Sequence, residues 1–182
     1  MPDAKEEIES LHHLRDISIW IDIYDDIFSD FDPRNFSERN ISDDFIYEVK
    51  KVSLESDFHI GALKLLIPEK NRNTENENTI IKRLHSHFKK SHAAFRGKMK
   101  TKRKNGSLLA VLGMGMMLGA SYISSLQSGR FLMHSLLVLL EPAGWFMVWI
   151  GMDNLLGTSR ELKPEFDFYN KLEKSKIVFV SI

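Results

Sequence analysis

Five carboxylates fall within eleven residues of this chain: Asp22, Asp25, Asp26, Asp30 and Asp32, in the stretch DIYDDIFSDFD that precedes Pro33. Oxygen ligands on a flexible loop suit Ca²⁺ or Mg²⁺, which makes Asp25, Asp26, Asp30 and Asp32 candidate metal ligands. The spacing departs from an EF-hand loop, which needs a glycine at its sixth position and an acid at its twelfth. The commoner use of such a run is to cap helices or to pair with Arg34, Arg39 or the basic stretch 82–104. A second candidate is Glu141, alone in the apolar run LLVLLEPAGWFMVW. A carboxylate among hydrocarbon is costly and ordinarily faces a bundle interior or a water-filled path. Pro142 follows it and removes a backbone hydrogen bond, which predicts a kink, or a break with the proline opening a new helix. His134 lies seven residues earlier on the same helical face. Glu141, Pro142 and His134 therefore read as a proton- or ion-sensitive break, or as polar glue between two helices.

Other chemistries have no footing. The chain has no cysteine, so disulfides, thiolate metal sites and cysteine nucleophiles are excluded. Its seven histidines (His12, His13, His59, His85, His87, His92 and His134) make no metal-binding spacing. No phosphate-binding glycine loop, nucleophile elbow or kinase signature is present. No catalytic residue and no cofactor are expected.

The elements that must carry these residues follow from periodicity. Asp16 to Tyr24 alternates apolar and polar and predicts a strand. Residues 25–40 read as an acidic loop with one helical turn. Ser42, Asp43 and Asp44 open a helix running to about residue 55. Residues 58–67 (FHIGALKLLI) predict a second strand, and 69–78 a polar loop. From Thr79 the stripe Ile80, Ile81, Leu84, Phe88 and Phe95 predicts a helix that becomes strongly basic. Residues 107–126 carry no charge and match the thickness of a hydrocarbon layer; 131–152 form a second span, interrupted by Glu141-Pro142. A turn at 127–130 joins them. Residues 162–174 predict a helix begun at Pro164, and 176–182 (KIVFVSI) a last strand that needs the earlier sheet to pair with. Gly115 and Gly119, with Gly144 and Gly151 opposite, are candidate packing ridges within the hairpin or between copies.

The expected fold is thus a small α/β (α+β) cytoplasmic domain, 1–104 plus 157–182, in the order β-α-β-α-hairpin-α-β. A transmembrane hairpin, 107–156, is inserted in it. The formal net charge is zero, but its distribution is not even. Residues 1–77 hold 19 acids against 9 bases, and residues 78–104 hold 10 bases and no acid. Only Arg130 lies between the spans, so both termini are expected on the cytoplasmic side. Lys98, Lys100, Lys102, Arg103 and Lys104 set that topology and are expected to meet anionic lipid headgroups. The acidic, polar N-terminal stretch does not read as a secretory signal. Nucleic acid is not an expected partner, because a basic cluster abutting a span is explained by topology.

YDDIFSDFDPR (24–34) with SERNISDDF (37–45), and LLEPAGWF (139–146), resemble motifs of an uncharacterised family of small bacterial two-span membrane proteins. The resemblance implies a bacterial inner-membrane location and carries no activity. The expected function is a non-enzymatic, membrane-anchored accessory protein whose cytoplasmic domain docks a protein partner. Trp20, Tyr24, Phe28, Phe31 and Phe36 are its candidate anchors or, alternatively, its core. Two other expectations stand beside it: an oligomeric effector or ion-conducting subunit using Glu141 and His134, and a metal-dependent enzyme using the aspartate loop.

Overall fold

The structure, a computed structural model, describes residues 15–55, 60–125 and 131–182. The chain folds as a mixed α/β protein, mostly helical, with one small sheet and two long apolar helices. It divides into two compact units: Met1–Ala93 with Asp167–Ile182, and Ala94–Phe166. The polar N-terminal stretch with His12 and His13, the start of the expected second strand at Phe58 and His59, and the turn 127–130 lie outside the described residues.

The first unit is built on three strands, β1 (Arg15–Trp20), β2 (Ile60–Ile67) and β3 (Lys176–Ser181). All are parallel, in the spatial order β1-β2-β3. The terminal strand therefore joins the sheet that its sequence required. Alternation sends Ile17, Ile19, Leu63, Leu65, Ile67, Ile177 and Phe179 to one face, where each is buried. Against them lie Phe45 and Val49 of α1 (Asp43–Glu55), and Ile80, Leu84 and Phe88 from the start of α2 (Thr74–Ser125). Phe168, Tyr169 and Leu172 of α4 (Lys163–Lys174) complete this core. Residues such as Leu63 and Phe88, fully buried, each contribute roughly 1.5–3 kcal/mol of transfer free energy.

Both strand connections step the same way along the sheet. Right-handed crossovers that step the same way put their helices on one face. The other face agrees: its rows are Trp20–Leu66–Val180 and Ser18–Lys64–Val178, half-buried or exposed throughout, with Trp20 64% exposed. A parallel sheet is ordinarily covered on both sides.

The second unit is an antiparallel pair made by the rest of α2 and by α3 (Phe131–Gly157). Both helices are long and apolar enough to cross a membrane.

Several boundaries differ from expectation. β1 stops at Trp20, because the Asp26 carboxylate accepts the N–H groups of Asp22 and Ile23 (2.8 and 3.1 Å) and turns the chain into a single helical turn, Tyr24–Ile27. α2 begins at Thr74, not Thr79, since Asn73 Oδ1 caps the amides of Glu75 and Asn76 (3.0 and 3.1 Å). It then runs unbroken through 99–106 to Ser125, for nothing there interrupts it. α3 is likewise unbroken at Glu141-Pro142, so the expected break is absent and Pro142 sits inside the helix. After Gly157 a π-turn (Thr158–Leu162) leads directly into α4, which starts at Lys163 without the expected gap.

Candidate functional site

The loop between β1 and α1 lies beyond the carboxyl ends of parallel strands, the place where α/β sheets ordinarily hold ligands. Its aspartates are committed elsewhere. Asp26 holds the helical turn already described. Asp25 pairs with Arg39, whose Nε also donates to the Ser29 carbonyl and whose guanidinium lies 5.7 Å over the Phe28 ring. Asp32, nearly buried, accepts two bonds from the Arg34 guanidinium (2.8 and 2.7 Å) and the amides of Arg34 and Asn40. The Arg34 bonds hold its carboxyl well below the usual carboxylate range. Asp30 faces a different cleft. Among the described residues no group of three His, Asp or Glu is arranged to hold a metal. The structure therefore does not bring Asp25, Asp26, Asp30 and Asp32 together as ligands: Asp25, Asp26 and Asp32 meet a cation or an amide of their own chain, and Asp30 lines a separate cleft.

Beneath that loop, Tyr24 accepts the Asn73 N–H (2.6 Å) and donates to Glu77 (3.1 Å). Arg72 clamps Glu77 with two bonds (2.9 and 2.8 Å) and reaches Ser181 of β3. The Arg72 bonds lower the Glu77 carboxyl, and burial raises the Tyr24 phenol. This network ties all three strand ends to the start of α2. No spacing in the sequence signals it, because its directly bonded partners lie up to 109 residues apart.

The expected aromatic set separates into two groups. Tyr24, Phe28 and Phe36 pack on one another and Tyr24 on Phe179, at 5.2–6.2 Å between rings. They are core. Phe31 is 98% exposed, on the rim of a cleft of about 600 Å³ with Asp30, Asp43, Asp44 and His87. Burial pushes the His87 imidazole below its usual range, so that cleft holds acids and a neutral histidine. Trp20 stands on the open sheet face.

In the second unit, glycines set the helix approach. A methyl group on Gly113 would stand 2.6 Å from the Gly144 carbonyl oxygen, and one on Gly151 would stand 2.6 Å from the Ala110 amide nitrogen. Gly106 meets Gly151 in the same way. Gly144 faces Gly113 and Met117, and Gly151 faces Gly106 and Ala110. A methyl group on Gly115 or Gly119 would meet nothing within 4 Å among the described residues, because both project from the opposite side of α2. The seam 106–110–113–117–120 steps by four and three, which keeps it on one stripe; that spacing could have revealed it.

Glu141 borders a groove of about 500 Å³ with Met117, Ser121, Ser124 and Ser125. His134 does not line it. The serines, which sequence reasoning had missed, are its polar neighbours across the seam. The basic residues also divide. Lys102 pairs with Glu161 (2.7 Å), Lys98 lies 5.2 Å over the Phe95 ring, and Lys100 and Arg103 share a cleft with Arg96, Met99 and Phe166.

No protein-family model, curated protein or solved structure matches the chain. Functional conclusions therefore rest on this geometry.

Proposed function

We propose that the chain is a membrane-anchored docking protein: the hairpin crosses the bacterial inner membrane, and the α/β unit takes a protein partner on the cytoplasmic side. The observation that carries this reading is the face of the parallel sheet that no described helix covers, with Trp20, Leu66 and Val180 in one row. Apolar surface on a parallel sheet is normally covered by helices, and an exposed large aromatic within such a patch, as Trp20 is here at its β1 edge, is a common anchor of an interface.

Membrane insertion is supported by a combination that a soluble helical hairpin does not have. The helices are apolar, yet only 22% and 6% of their most apolar windows are buried within the chain. Large side chains such as Leu118, Phe146 and Trp149 project outward. The pairing of β1 and β3 with the same strand requires the segments before and after the hairpin to lie on one side, as an even number of crossings provides. The basic stretch 82–104 argues that this side is the cytoplasm. No reaction is assigned to the protein.

The test is photo-crosslinking in native membranes, with the crosslinking residue at position 20 of the full chain and, as control, at position 54 on the exposed side of α1. A single heterologous adduct from position 20, lost in Val180→Lys, is expected. Equal labelling from both positions, or self-adducts alone, would sink the reading.

A second reading has its own observation: Glu141 shares an intramembrane groove with three serines. Hydroxyls beside a carboxylate could pass protons or small cations if copies assembled around that groove. It predicts proton flux into vesicles containing the purified protein, abolished by Glu141→Gln; tight vesicles at every protein density would remove it.

A further inference from the structure

We infer that Arg96, Lys100 and Arg103 form a specific site for the phosphate-bearing headgroup of an anionic glycerophospholipid, with Met99 and Phe166 as its apolar wall. This rests on the membrane reading above and goes beyond a general attraction of basic residues to lipid, because it names one cleft and excludes its neighbours.

The three cations recur at spacings of four and three residues, which stacks them on one face of α2. Phe166 of α4 lines the other side of this open cleft of about 300 Å³. The cleft continues the seam that Gly106, Ala110 and Gly113 begin, so it is the open end of the groove between the two long helices. Basic pockets between membrane helices at the cytoplasmic boundary are where phosphate headgroups bind.

The depth agrees. The charge-free run starts at Ser107. At 1.5 Å per residue, Arg103 stands about 6 Å, Lys100 about 10 Å and Arg96 about 16 Å before it. The first two reach the phosphodiester level, and Arg96 can reach toward it along its flexible stem.

The neighbouring bases are differently engaged. Lys102 is neutralised by Glu161, and Lys98 lies over Phe95. None of Arg96, Lys100 and Arg103 has an acid within ion-pair distance among the described residues. Three cations without carboxylates, beside an aromatic ring and a methionine, match an amphiphile better than a free anion: the phosphate takes the charges and the glycerol and first methylenes take the wall. Arginine also offers two parallel donors to a phosphate.

Native mass spectrometry of the purified full chain in detergent, after incubation with phosphatidylglycerol or phosphatidylcholine, tests this. Wild type is expected to retain about one phosphatidylglycerol and to discriminate against phosphatidylcholine. R96Q/K100Q/R103Q should lose at least tenfold in retention, whereas K89Q/K98Q/K104Q, with the same charge removed, should keep it. F166A should weaken diacyl lipid without restoring phosphatidylcholine binding. Equal loss in both triple variants would mean diffuse attraction and overturn the site. Displacement by inorganic phosphate would assign the cleft to a free anion, and displacement by short single-stranded RNA to nucleic acid; either result overturns the proposal. Carbonate extraction of the same variants separates the two readings: a chain released from membranes refutes insertion, and a chain retained without bound lipid refutes only this site.

Discussion

At the residue scale, the acidic half of the chain is held by arginines. Asp32 depends on Arg34, and Glu77 on Arg72. Both carboxyls are lowered in the folded state, so both contribute stability that is present above their ordinary values, 3.8 and 4.5, and is lost as pH falls below them. Glu77→Gln should therefore lower the thermal midpoint at pH 7, and the difference from wild type should shrink as the pH is taken below 4.5. A difference independent of pH would mean that Glu77 acts by packing alone. Tyr24→Phe removes the acceptor for the Asn73 amide and a donor to Glu77. It should cost about 1–3 kcal/mol by chemical denaturation, the range for leaving a partly buried donor unmatched. These aspartates were visible in the sequence as a cluster, but their partners were not. A metal loop and a set of separate ion pairs share the same composition, and only the positions of Arg34, Arg39 and Asn40 distinguish them.

At the element scale, the two long helices are specified by where side chains are missing. Gly113→Leu would drive a side chain into the Gly144 carbonyl and Val148, whereas Gly115→Leu meets open space. The first should markedly lower the unfolding temperature of the purified hairpin-containing chain in detergent, and the second should leave it within the error of measurement. Equal sensitivity would point to contacts between copies at Gly115. The GxxxG pair at 115 and 119 was the conspicuous motif in the sequence. It lost to the 106–110–113 stripe because helix packing is decided by which face the partner occupies, not by the shortest spacing. The same applies to Pro142. It stays within α3, because on an exposed side of the helix its ring displaces no neighbour and only one backbone bond is given up.

At the scale of the whole molecule, β3 closes a sheet whose other strands precede it by more than a hundred residues of chain. Truncation after Ser175 should expose Leu63, Leu65 and Phe88 to solvent and make the α/β unit sensitive to protease, while 107–152 remains resistant to carbonate extraction. A protease-resistant truncated unit would show that two strands suffice. Single cysteines placed at Ser18 and Ser181 report topology without interference, since the chain has none of its own. Both should react with an impermeant maleimide only when the cytoplasmic face is exposed.

The sequence by itself determined the elements and their order. Local patterns mark 16–24, 58–67 and 176–182 as strands, and long apolar runs, broken only by Glu141, mark the two apolar helices, because these signals are local and each residue carries its own share. Tertiary structure alone decided that the strands are parallel with β2 central, that one face of the sheet stays open around Trp20, and that Glu141 lies beside Ser121, Ser124 and Ser125. It also decided which three of the many bases share a cleft with Phe166. Each of these depends on residues distant in the chain meeting in space, and a pattern of neighbours along the backbone does not record which faces will meet.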